Sequence, residues 1–241
     1  MKEEIYTIPI SEALEQESFC PFCYLKEKIE LDAVNYTLGP AMMEPEFRIF
    51  TNERGFCQRH MRDLQAQRKA LSLALVLETH FDSIKNVMEN VLKSEKKYRF
   101  RKKEKGKSEI FAEEIGRISA SCAVCDRIEH TFSGYINTFI FMLKKEKDFV
   151  ERVIATDGFC MEHFARLAQA ASEKLSDGEF EKYFIPIIEH QKVRLEKQHE
   201  HLKKFAESFD YRNAGKKLEV PRDTLIKSGY LLNGEFEPKD K

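Results

Sequence analysis

The chain has 241 residues, 42% of them hydrophobic and 34% charged, with a formal net charge of −1. That balance excludes a disordered polyelectrolyte and a nucleic-acid protein wrapped in a global basic field. No apolar run approaches the roughly 20 residues a bilayer span requires, so no membrane partner is expected.

Ten Gly and seven Pro among abundant helix formers favour helices over a multi-stranded sandwich. The start, Met1-Lys-Glu-Glu-Ile5, lacks the apolar segment and cleavage site of a signal peptide. A cytoplasmic location is therefore expected, where thiols stay reduced and cysteines more often bind metal than pair.

In chain order, Ser11 to Ser18 is polar and helix-like, and Cys20-Pro-Phe-Cys23 follows it. Leu25, Ile29, Ala33 and Tyr36 then form a weak helical stripe that ends near Gly39-Pro40. A short helix is expected around Glu46 to Thr51, before Gly55-Phe-Cys57-Gln-Arg-His60. Leu73, Leu77, Phe81, Ile84, Met88 and Val91 mark one face of a long helix. From Lys93 to Lys107, nine basic residues stand against two acidic ones, which reads as a linker or a frayed helix end.

Cys122-Ala-Val-Cys125 opens a second pass. Ile128, Phe132, Tyr135, Ile136, Phe139, Ile140 and Leu143 recur at helical steps. A short helix is expected around Lys147 to Ala155, then Gly158-Phe-Cys160-Met-Glu-His163. Ser176-Asp177-Gly178 supplies a turn and cap. A last long stripe runs from Phe184 through Ile188, Leu195, Leu202 and Phe205 to Phe209. Pro186 starts or kinks that helix, and Gln191 and Gln198 interrupt its stripe. After Asp210 come loops, a short helix ending at Gly229, and a tail.

The two passes form a duplication. Each CxxC is followed by a Gly-Phe-Cys-x-x-His after 33 or 34 residues, and the second copy lies 102 to 103 residues beyond the first. Leu64 and Leu167 each sit four residues past their histidine, and no cysteine falls outside the pattern.

Three cysteines and a histidine make a closed tetrahedral zinc set with no open position for water, a structural rather than catalytic arrangement. Two residues between ligands let both side chains face one ion, and a CxxH at a helix start puts them on one face. The helix N-terminus favours a thiolate there. Two zinc ions are therefore expected, on Cys20, Cys23, Cys57 and His60 in the first copy and on Cys122, Cys125, Cys160 and His163 in the second.

Other chemistries fit less well. A c-type haem needs CxxCH, but Tyr24 and Asp126 follow the two pairs. Cys20-Pro-Phe-Cys23 looks like a glutaredoxin site, yet a helix-like segment rather than a strand precedes it. Glu196-Lys-Gln-His199 supplies only part of a di-iron ligand set, on a charged surface. No phosphate loop, dinucleotide fingerprint or Ser-His-Asp order is present, so the residues point away from an enzyme.

The chain resembles an uncharacterised family of bacterial proteins, mostly from Firmicutes. The likeness rests on Cys20-Pro-Phe-Cys23, the tandem Gly-Phe-Cys-x-x-His motifs and Asp210-Tyr-Arg-Asn213. It covers most of the chain, supports a helical metal protein, and implies no activity.

The expected fold is all-α, with two pseudo-symmetric zinc-pinned helical modules. The first spans 1–92 and the second 111–209, with a basic linker at 93–110 and an irregular tail with a short helix at 210–241. The expected role is a zinc-binding scaffold that presents helical surfaces, or a groove, to a protein or small-molecule partner. The alternatives are a zinc–thiolate redox switch, a nucleic-acid binder that uses the basic linker, with its Tyr98 and Phe100, and an enzyme with its site in a groove between the modules.

Overall fold

The computed structural model describes residues 6–93, 106–213 and 220–234. Among these the chain is all-α, with no strand. Its helices are α1 (Thr7–Glu15), α2 (Pro21–Thr37), α3 (Pro45–Arg54), α4 (Gln58–Ala66), α5 (Ala70–Lys93) and α6 (Lys107–Ala120). They continue with α7 (Ala123–Lys145), α8 (Phe149–Ile154), α9 (Met161–Lys174), the single turn α10 (Asp177–Glu179), α11 (Ile185–Glu207) and α12 (Thr224–Asn233).

Local chemistry sets many of the ends. Pro45 and Pro186 occupy first-turn positions of α3 and α11, where the missing N–H costs nothing. Ser176 and Glu179 form a full capping box, in which the Ser176 hydroxyl accepts from the Glu179 amide and the Glu179 carboxylate accepts from the Ser176 amide. A π-helical turn, Phe180–Phe184, joins α10 to α11.

Three local expectations need correction. Residues 107–110, assigned to the linker, are the first turn of α6. The last helix runs through Gly229 and ends at Gly234, whose positive φ and amide bond to the Tyr230 carbonyl close it. On α5, Phe81 and Met88 are exposed rather than buried. The bulk of the basic run, 94–105, with Tyr98 and Phe100, lies outside the described residues, as do 214–219 and 235–241 of the tail.

The chain divides into two compact units, Met1–Glu27 with Phe132–Lys241, and Lys28–Thr131. For brevity these are the outer and inner units. They do not coincide with the two sequence copies, because their boundaries fall inside α2 and α7.

The outer unit is built on aromatic packing. Phe22, Phe132, Phe139, Phe149, Phe159 and Phe184 are all fully buried. Phe22 meets Phe132 and Phe139 edge to face, each at 5.6 Å between ring centroids. The inner unit has a smaller, aliphatic core. Ala33, Val34, Leu38, Leu64 and Val124 cluster with Cys122, with Phe56, Leu73 and Ile128 packed partly against them. Of the largest fully buried side chains among the described residues, only Leu64 belongs to the inner unit.

Candidate metal centres

Each copy places its ligands by the same local devices. Cys20 and Cys122 immediately precede α2 and α7, so each CxxC wraps the first turn of a helix. The Cys23 amide donates to the Cys20 carbonyl at 3.0 Å. Cys57 and Cys160 are the N-caps of α4 and α9, with nearly identical extended backbones. Neither side chain caps its own helix, which leaves both sulfurs to face the histidine one turn later.

Gly55 and Gly158 turn the chain into these caps at φ of +61° and +94°. A Cβ on Gly55 would lie 2.8 Å from His80 Nε2, and one on Gly158 would lie 2.8 Å from Gln191 Oε1.

All eight predicted ligands enter clusters, but not with the expected partners. Cys20 and Cys23 converge with Cys160 and His163, and Cys57 and His60 converge with Cys122 and Cys125. Each CxxC thus meets the CxxH of the other copy, and the pairing within copies is overturned. The reason lies in helix lengths. From its CxxC, α2 climbs about 25 Å, while α3 offers a return of only about 15 Å. The imbalance is greater in the second copy, where α7 rises about 34 Å and α8 about 9 Å. Each exchanged set lies within one compact unit: the first in the outer unit, the second in the inner.

In the outer centre, His163 Nδ1 lies 3.5 Å from Cys20 Sγ, 3.5 Å from Cys23 Sγ and 3.3 Å from Cys160 Sγ. Cys23 and Cys160 sulfurs are 3.8 Å apart. In the inner centre, His60 Nδ1 lies 3.3 Å from Cys57 Sγ, 3.4 Å from Cys122 Sγ and 3.2 Å from Cys125 Sγ. Cys57 and Cys125 sulfurs are 3.9 Å apart. No disulfide is formed among them. Both imidazoles thus turn Nδ1 to the sulfurs, and Nε2 is left to carry the proton.

Crowded thiols cannot all ionise. In the outer centre, hydrogen bonds from Cys20 and Cys23 hold Cys160 far below the ordinary thiol range. Burial and the contact with Cys160 push Cys20 up to about 12, and Cys23 rises beside the same two neighbours. In the inner centre burial opposes ionisation of Cys122. Hydrogen bonds from His60 and from the Cys57 and Cys125 amides outweigh it and bring Cys122 down to about 6. Partial desolvation of its sulfur and the Cys122 charge take Cys125 up to about 12. Contact with Cys122 and Glu30 raises His60 to about 10. Protons favoured on Cys20, Cys23 and Cys125, beside the readily ionised Cys160 and Cys122, are ones that a divalent cation replaces on binding.

The surroundings of the two centres differ. All four outer ligands are buried, whereas Cys57 is half-buried and Cys125 exposed. The outer centre is roofed by the end of α12. A Cβ on Gly234 would stand 3.2 Å from Cys23 Sγ and 3.5 Å from Cys160 Sγ.

Arg194 also lies beside the outer centre. Its guanidinium donates to the Phe159 and Phe19 carbonyls at 2.9 and 2.7 Å and stacks over the Phe19 ring. Burial lowers its pKa, and Asp157 and the three cysteines act in the opposite direction. Gln191 clamps the peptide between Phe159 and Cys160. Its Oε1 accepts from the Phe159 amide at 3.0 Å, and its Nε2 donates to the Phe159 carbonyl at 2.8 Å.

At the inner centre His60 Nε2 donates to Glu30 Oε1 at 3.1 Å, and Arg59 braces the same carboxylate at 2.6 Å. At the outer centre His163 Nε2 is buried without a hydrogen-bond partner. The residue 102 positions after Glu30 is Phe132, whose ring lies 5.1 Å from that of His163. A carboxylate in one copy is thus replaced by a phenyl ring in the other.

The sequence motifs gave no sign of Glu30, Arg194 or Gly234. Gln191 had left a signal, because an amide inside an apolar stripe requires a buried polar partner. The Glu-x-x-His candidates Glu196 and His199 are both exposed, with Glu196 paired to Lys192. His190, on the same helix, donates to the Thr156 carbonyl at 3.0 Å.

Residues 1–239 match the family of unknown function DUF6062. The chain belongs to this family. No curated protein and no solved structure matches it. No helix among the described residues is long and apolar enough to cross a membrane.

Proposed function

We propose that the chain is a zinc-binding helical scaffold, with one Cys3His zinc ion in each unit pinning helices whose outer faces serve a protein or small-molecule partner. The observation that carries this reading is the convergence of the donor atoms. Zinc–sulfur and zinc–nitrogen bonds of about 2.3 and 2.1 Å give tetrahedral edges of about 3.8 Å between sulfurs and about 3.6 Å between sulfur and nitrogen. The edges in the structure, 3.8 and 3.9 Å for the Cys23–Cys160 and Cys57–Cys125 sulfur pairs and 3.2 to 3.5 Å to nitrogen, lie close to those values.

Three thiolates and an imidazole fit zinc better than harder ions that demand oxygen ligands. The zinc would supply cross-links between helices distant in sequence, and in the inner unit it would compensate for a small core. A set needing reduced thiols fits a cytoplasmic location.

The test is elemental analysis of protein purified without chelator. Two zinc ions per chain are expected, with thiol titration showing six cysteines released by denaturation in chelator. Iron–sulfur absorbance, or metal-free protein that melts like the purified form, would contradict the reading.

A further inference from the structure

We propose that the inner centre, Cys57, His60, Cys122 and Cys125, is a peroxide-reactive modification site, with the Cys125 sulfur receiving the oxidant and Cys57 closing the disulfide. This rests on the zinc reading above and adds a difference between the two centres.

Three observations converge on the inner centre. Cys125 is exposed, whereas every outer ligand is buried, and only an accessible sulfur can meet a hydroperoxide. A second sulfur, half-buried Cys57, stands 3.9 Å from it, placed to resolve an oxidised partner. The charges near the two centres also differ. At the inner one, Glu30 takes the His60 Nε2 proton in a hydrogen bond, which makes the imidazole a more basic ligand and the sulfurs more electron-rich. At the outer one, the half-buried Arg194 cation offsets thiolate charge, and α12 ends against the sulfurs at Gly234.

The chemistry balances. A Cys125 thiolate attacks one oxygen of hydrogen peroxide; the O–O bond breaks and the other oxygen leaves as hydroxide, which a proton turns to water. Cys125 is then a sulfenic acid, oxidised by two electrons. The Cys57 thiolate attacks its sulfur, the S–S bond forms, and a second hydroxide leaves and is protonated. Two thiolates, one peroxide and two protons become one disulfide and two waters. Cys122 and His60 alone no longer make a four-ligand set, and the ion is released. A dithiol reverses the reaction by exchange.

The experiment uses the full zinc-loaded chain, with zinc content measured first. Limiting hydrogen peroxide is added in the presence of a chromogenic zinc indicator, and the products are alkylated and mapped by mass spectrometry. The expected result is release of one of the two ions, a Cys57–Cys125 disulfide, and Cys20, Cys23 and Cys160 still alkylated as thiols. Dithiothreitol and added zinc should restore the starting state. The Cys125→Ser variant should lose the fast release, but the mapping on the unaltered chain decides the question even if that variant does not fold.

Release of both ions together overturns the proposal. So does first oxidation at Cys20, Cys23 or Cys160, an intermolecular disulfide, or no release before general unfolding. Each of these leaves the zinc reading standing. A chain that purifies without metal overturns the zinc reading and this inference with it.

Discussion

The outer and inner units carry the same set of four ligands, three cysteines and a histidine, on different foundations. The outer centre sits in a core of fully buried phenylalanines, with all four ligands covered and a half-buried arginine beside them. The inner centre sits against a small aliphatic cluster of which Cys122 itself is a member, and one of its cysteines, Cys125, is exposed. Ligand identity is therefore a poor guide to what a metal centre contributes. The same three cysteines and histidine can finish a core that already exists, or stand in for one that does not.

The sharpest way to test that contrast is to remove a ligand from each centre. Apparent zinc-binding energies of about 10–16 kcal/mol in finger peptides match or exceed the roughly 5–15 kcal/mol margin of a whole domain. Cys57→Ser should therefore unfold the inner unit, seen as lost amide protection across the helices of 28–93 and 106–131. Cys160→Ser should destabilise the outer unit strongly yet leave protection around Phe139 and Phe149. Hydrogen exchange with zinc content on the same samples reads both, and equal loss in the two units would erase the contrast.

A core truncation probes it from the other side. Phe139 is fully buried among aromatic rings, so Phe139→Ala should cost about 3–5 kcal/mol by thermal melting, with both ions retained. A cost near zero would mean that the outer unit also depends chiefly on metal.

A smaller effect is expected at the Glu30 carboxylate. Glu30→Gln weakens the brace on the imidazole without removing a ligand. Loss of such a partner typically lowers metal affinity about 10- to 100-fold, so chelator competition should strip the inner ion first, with helicity unchanged. The position 102 residues later is already Phe132, and Phe132→Leu should leave inner-centre affinity untouched.

Much of this was legible in the sequence. Helical periodicity located α2, α5, α7 and α11, and prolines, glycines and the Ser176 cap marked several of their ends. The matched motifs named all eight side chains that converge. What the repeat concealed was the partner exchange. A motif pair 33 residues apart invites local pairing, and only the length of α2 against α3, and of α7 against α8, reveals that the chain cannot return. Phe81 and Met88 misled because an apolar stripe reports a potential interface and not its burial. Gly229 read as a helix stop because glycine often ends helices, but Gly234 supplies the positive φ. Arg194 carried no local pattern, because its partners are the carbonyls of Phe19 and Phe159.

The central claim is that each metal centre takes its CxxC from one copy and its CxxH from the other, and zinc stoichiometry of two double variants tests it directly. Cys20→Ala with Cys160→Ala removes two ligands of one centre and should leave one zinc per chain. Cys20→Ala with Cys57→Ala removes one ligand from each centre and should leave none firmly bound. The reverse outcome, one ion kept by the Cys20/Cys57 variant and none by the Cys20/Cys160 variant, would contradict the exchange and restore pairing within each copy.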